Sequence, residues 1–385
     1  MKNIIKLILI FPILLELLDS SRFVIELPIP LSLGRLLLLF FSFYYIFGNI
    51  FKVFFDKIFN SFFIIFSSIL LASILKASPE MINKSFGQIL LLISSFGFVY
   101  IFTSKFLNKI IRFFLIVNLI YWLSITYSSL FADTFFDFSF YSGYSAEMIN
   151  HHTVGIPILI SSIFIYHYYF FTNGKYSLFG NIFLLLSLIT MFLIENRSGL
   201  LCLTVTFVVL NLSKIKKFDS VLSLSLFSVL VFFTVIFLFQ FETIFQRFNF
   251  YDTDYLERSN DERLFLYYQF FPTFFNNIFG LGSYAYVDLG FQKILIHNQY
   301  LTFILAGGIL SVYSVFRFLF DYFTLAKKII SEKIDNLDKM EISLFLSTIP
   351  FFIKLFFLEQ GGLIFFICLS IVIYVNLKLN NKLSI

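Results

Sequence analysis

Apolar stretches of about 20 residues, the length needed to cross a bilayer as a helix, recur from one end of the chain to the other. They are broken by short runs of charge, Gly, Pro and Asn. Reading windows against those breaks predicts twelve helices, near residues 4–18, 36–55, 58–75, 86–103, 113–132, 153–171, 178–194, 198–212, 220–241, 299–316, 341–357 and 361–377. The pattern predicts an all-α polytopic membrane bundle, one integral membrane domain over residues 1–385. The first stretch follows Lys2 and Lys6 but carries Glu16 and Asp19 and no small-residue cleavage site, so a retained span is expected there.

One connection breaks the rhythm. Residues 242–298 are too long and too rich in charge, Asn, Asp, Tyr and Gly for a turn, and their aromatic density (Phe265, Tyr267, Tyr268, Phe270, Phe271, Phe274, Phe275) argues against disorder. Between Asp261 and Asn277 polar residues alternate with aromatics, which predicts a short helix or helix pair in the headgroup layer, broken at Pro272. No internal repeat is visible.

Composition strengthens this picture. With 59% hydrophobic and 13% charged residues and a mean hydropathy of +0.90, no water-soluble surface can be built. The net charge of +5 comes from Lys and Arg scattered between apolar runs, which excludes a nucleic-acid stripe and leaves a topology signal. With the N-terminus placed inside, 18 of the 28 basic residues fall on the cytoplasmic side and 10 outside, so both termini are expected in the cytoplasm. Loop 242–298 is then extracytoplasmic. Cys202 and Cys368 both sit inside apolar runs and read as packing residues.

Four features could carry chemistry. Arg197, between Glu195 and Ser198, is either a snorkelling helix-end arginine paired with Glu195 or a bidentate phosphate ligand. Arg263, in the long loop, is either a solvated charge or a second such ligand. His297 stands where that loop re-enters the membrane and could act as general base or phosphate ligand, while Asn298 after it is also an ordinary helix N-cap. His151 and His152 lack the spacing and companions of a metal set and read better as polar lining. His167 falls at the cytoplasmic end of its span and reads as structural. No metal or other cofactor is expected.

The charge bias puts Arg197, Arg263, His297, His151 and His152 on one face. The segment from Arg263 through FFPTFFNNIFGLGSYAY to HNQYLTFILAGGILSVY, together with ENRSGLL at 195–201, resembles the O-antigen polymerase and O-antigen ligase superfamily. The shared features are an Arg, an Asn before Gly280 and Gly282, His297–Asn298 followed by Tyr300 and Leu301, and the pair Gly307–Gly308. The resemblance implies a metal-independent membrane glycosyltransferase of the membrane-embedded GT-C class, working at the outer face of a bacterial inner membrane. Its substrate would be an undecaprenyl-pyrophosphate-linked oligosaccharide, with a chain-length regulator protein as a further partner. Arg197 and Arg263 would contact the pyrophosphate, His297 would bind it or deprotonate the acceptor, and His151, His152, Asn298, Tyr300, Gly280 and Gly282 would complete the substrate site. A repeat-unit polymerase making O-antigen, capsule or exopolysaccharide is the first expectation and a ligase onto lipid A core the second. A flippase or small-molecule transporter is the alternative from another class.

Overall fold

A computed structural model describes residues 33–54, 56–103, 151–171, 177–193, 197–212, 266–283, 287–288, 293–294, 298–331, 334, 336–357 and 363–380. The expected spans at 4–18, 113–132 and 220–241 lie outside the described residues. The helices are α1 (Leu33–Phe54), α2 (Lys57–Leu75), α3 (Pro79–Thr103), α4 (His151–Ile165) with a π-helical turn (Tyr166–Phe171), α5 (Ser177–Leu193) and α6 (Arg197–Leu212). They continue with α7 (266–276), α8 (Gln299–Gly307), α9 (Ile309–Ser331), α10 (Lys339–Ser347), α11 (Ile349–Lys354) and α12 (Leu363–Leu379). One two-residue antiparallel pair, β1 (Val287–Asp288) with β2 (Lys293–Ile294), interrupts the long loop, a small departure from an all-α chain. Among the described residues α2, α3 and α9 are long and apolar enough to cross a membrane, by length and composition.

Contacts divide the chain into two units. The first holds α1, α2, α3, α7, α8, α9 as far as Leu325, and α12. Its centre is an aromatic cluster: Phe62 meets Phe318 at 4.5 Å and Phe365 at 5.3 Å, and Phe66 meets Phe303 at 5.6 Å and Phe366 at 5.8 Å. These edge-on and tilted pairings are the geometry aromatic quadrupoles favour. Buried Asp56 caps α2, accepting from Phe59 N at 2.8 Å and from Asn376 Nδ2 of α12 at 2.6 Å. Gly97 lets α1 approach α3 closely, its N–H reaching Ser42 Oγ at 2.7 Å. In α1 the backbone leaves helical geometry at Asn49, whose side chain donates to Tyr45 O.

The second unit holds α4, the π-helical turn, α5, α6, α10, α11 and the last turn of α9. Short connections make α4, α5 and α6 run up, down and up. Tyr166, in the π-helical turn that follows α4, accordingly packs on Phe207, late in α6, at 5.5 Å. His167 is buried with Nδ1 2.7 Å from Ser343 Oγ, in keeping with a structural reading.

Three expected elements are redrawn. The span 299–316 is instead α8 and the start of α9, separated at Gly308, where φ is 68° and ψ −151°. The span 341–357 is α10, capped by a box between Asp338 and Glu341, then α11 after a break at Thr348. Pro350 has no N–H to carry the ladder across that break. Conversely, α7 passes through Pro272 without breaking.

Candidate functional site

The aromatic pairings fix the course of α8 and α9 in the first unit. Phe303 lies against Phe62 and Phe66, and Gly307 against Ser68, so α8 runs parallel to α2. Ser311 bonds Ser68 at 2.7 Å and Phe318 packs on Phe62, so α9 runs the opposite way. The two helices therefore form a hairpin whose tip is Gly308. Phe303 already lies past the middle of α2 from its Lys76 end, and Asn298, five residues earlier, is further still toward Asp56. α8 therefore starts level with the Asp56 end of α2 and leads from there to the hairpin tip.

The strip 277–283 lies across the hairpin tip. Leu281 N donates to Leu305 O and Gly282 N to Ala306 O, both at 2.9 Å, and Ile309 N donates to Ile278 O at 2.9 Å. On its other side Lys76 Nζ reaches Asn277 Oδ1 at 3.2 Å, Ser283 N reaches Ser73 Oγ at 3.2 Å, and Ser283 Oγ donates to Met81 O at 2.9 Å. A Cβ on Gly280 (φ 94°) would meet Ala306 O and lie 2.9 Å from Gly307 C, and one on Gly282 (φ 82°) would lie 2.8 Å from Ser73 Oγ. Both glycines thus have a packing duty, with their amides bonded to Asn277 O and Ala306 O.

Asn298 takes the N-cap role: its Oδ1 accepts from Tyr300 N and Leu301 N, both at 3.1 Å. Gln299 N donates to Leu355 O at 2.9 Å, and buried Tyr300 packs its ring 4.6 Å from Phe356. Asn298 and Tyr300 stand at the opposite end of α8 from Gly280 and Gly282, nine residues or about 13 Å along the axis. These four expected site residues are not one cluster.

His297 and Arg263 lie outside the described residues. Arg197 opens α6 and His151 and His152 open α4, and because the two helices run in the same direction, the backbones of all three fall at one end of the second unit. Lys354 belongs to that end as well. It closes α11, which packs on α6 and α4, and it is only 1% exposed and within electrostatic range of Cys202, about one and a half turns along α6 from Arg197. Lys354 is one of the ten basic residues that the charge bias puts outside. The signal was available: one lysine inside IPFFIKLFFL is expensive in an apolar bundle and by default marks function.

Among the described residues no group of three His, Cys, Asp or Glu side chains could hold a metal ion. Residues 182–315 match the profile of the O-antigen ligase family, and this match supports the O-antigen polymerase and ligase superfamily. The family suggests a glycan-processing membrane enzyme, a polymerase or ligase of the O-antigen class acting on lipid-linked glycans. No curated protein and no solved structure matches the chain.

Proposed function

We propose that this protein is a repeat-unit polymerase that transfers an undecaprenyl-pyrophosphate-linked glycan onto a lipid-linked repeat unit at the outer face of the inner membrane. The observation that carries the reading is the family match across 182–315, a range that includes Arg197, Arg263, His297, α8 and the first turns of α9. In the reaction an acceptor hydroxyl attacks the anomeric carbon and undecaprenyl pyrophosphate leaves with its bonding electron pair. Arg197 and Arg263 offset the charge that develops on the leaving pyrophosphate, as guanidinium does without needing a metal. His297 takes the acceptor proton or holds the pyrophosphate.

A ligase onto lipid A core is the second reading, favoured by the description of the matching family itself. The two share donor and leaving group and differ in acceptor. Deleting the gene and resolving surface glycan on a gel separates them. Loss of the ladder with single-repeat product retained identifies a polymerase, whereas full-length polymer accumulating on undecaprenyl pyrophosphate identifies a ligase. Helices broken at glycine inside an apolar window, as α8 and α9 are at Gly308, also occur in transporters. Lipid-linked repeat units trapped on the cytoplasmic face of the deletion strain would establish that alternative and remove the enzyme reading.

A further inference from the structure

We propose that α7 and the strip after it form a membrane anchor, with Tyr268, Phe271, Phe275 and Phe279 inserted into bilayer lipid. Tyr268, Phe271 and Phe275 are spaced three and four apart and so line one face of α7, and Phe279 follows in the turn after it. That face is open: Tyr268 is 74%, Phe275 69% and Phe279 72% exposed, whereas Leu266, Phe270 and Phe274 on the opposite face are buried. A row of bare aromatics of this extent has to be covered by something.

Its continuity says what covers it. The bond from Ile309 N to Ile278 O joins the start of the strip to the start of α9. Exposed Ile278 and Phe279 thereby run on into exposed Ile309, Leu310, Tyr313, Phe316, Phe320 and Phe323, one face of a helix apolar and long enough to cross the membrane. On the membrane reading that face of α9 is bathed by hydrocarbon, and the apolar band reaches α7 through Ile278 and Phe279. The Lys76–Asn277 bond places the end of α7 beside the turn between α2 and α3, at the limit of two further apolar helices of spanning length. Exposed Leu71, Ile74, Leu75 and Phe86 extend the apolar band around this end. An aromatic helix at such a boundary sits where the rings of interfacial helices enter the acyl region, to a depth of about 5–10 Å.

The anchor has a mechanical consequence. The strip 277–283 is fastened to both α2 and the α8–α9 tip, so inserting α7 holds the long loop down against the bilayer on the side of Lys76. This inference needs only the membrane reading and is independent of the reaction proposed above. Its failure would leave the polymerase reading intact, and the reverse also holds.

Indole fluorescence in proteoliposomes tests it. The single native tryptophan, Trp122, is replaced by Phe, and F271W, F275W and, at the rim, N276W are introduced one at a time into the full chain. Lipids brominated high on the acyl chain should quench F271W and F275W strongly, N276W much less, and aqueous iodide should have the reverse order. Far-UV circular dichroism and elution volume confirm that each variant is folded, and agreement of two independent positions guards against a local artefact. Emission from F271W and F275W at the wavelength of water-exposed indole, quenched by iodide and indifferent to bromolipid, would overturn the anchor. So would bromolipid quenching relieved by a few mole per cent of undecaprenyl phosphate, because the occupant would then be a polyprenyl chain rather than bulk lipid.

Discussion

Replacing Gly308 by alanine tests whether the α8–α9 hairpin, rather than a continuous span, is the native state. Gly308 has φ 68° and ψ −151°, a region that L side chains avoid at a cost of about 1–3 kcal/mol. Its Cβ would also meet Ile278 O and lie 2.6 Å from both Gly280 N and Phe279 C. Those atoms belong to the strip pinned by Lys76, Ser73 and Met81, so they cannot retreat freely, and such overpacking adds about 1–3 kcal/mol. The sum, about 2–6 kcal/mol, is a large part of an ordinary stability margin and, for 385 residues, corresponds to a fall in melting temperature of about 2–7 °C. Gly48 and Gly87 provide the opposite sign: both lie within helices, nothing stands within 4 Å of a Cβ at either, and alanine there should stabilise by about 0.5–1 kcal/mol. The assay is thermal loss of the monodisperse peak of the detergent-solubilised protein on size exclusion. G308A melting no lower than G87A would mean that α8 and α9 are not folded back at this glycine.

Arg197→Ala and Arg263→Ala should each lower polymer by two to three orders of magnitude, about 3–4 kcal/mol of transition-state stabilisation, with Lys restoring only a fraction; near-normal polymer at matched protein level would remove both from the chemistry. Asn298→Ala should cost about 1 kcal/mol of thermal stability while Asn298→Ser and Asn298→Asp keep the cap, so equal stability in all three would contradict the N-cap geometry. Lys354→Leu should cut polymer at least about tenfold, more than Lys354→Arg, whereas unchanged polymer would show that this buried cation has no functional share. Polymerisation by the purified protein should persist in EDTA, and loss restored by a divalent ion would assign the pyrophosphate to a metal instead of the arginines.

The described helices α1 to α6 and α12 lie within a few residues of the apolar windows except at the start of α3, which begins seven residues early, because span length and hydropathy are properties of a local stretch and need no partner. The superfamily resemblance was equally legible, carried by short motifs such as ENRSGLL and HNQYL. Tertiary structure alone decided how the Gly-rich motif is used. The Gly307–Gly308 pair interrupts the apolar window from Tyr300 to Phe316 but does not by itself specify a reversal; the turn at Gly308 takes this form because residues 278–282 occupy the space beside it and bond to its two flanking helices. For the same reason Gly280 and Gly282 separate from Asn298 and Tyr300, although one motif-rich segment, 280–300, contains them all. The burial of Lys354 beside α6 likewise depends on α11 packing there, a long-range contact that a count of charges by loop does not contain.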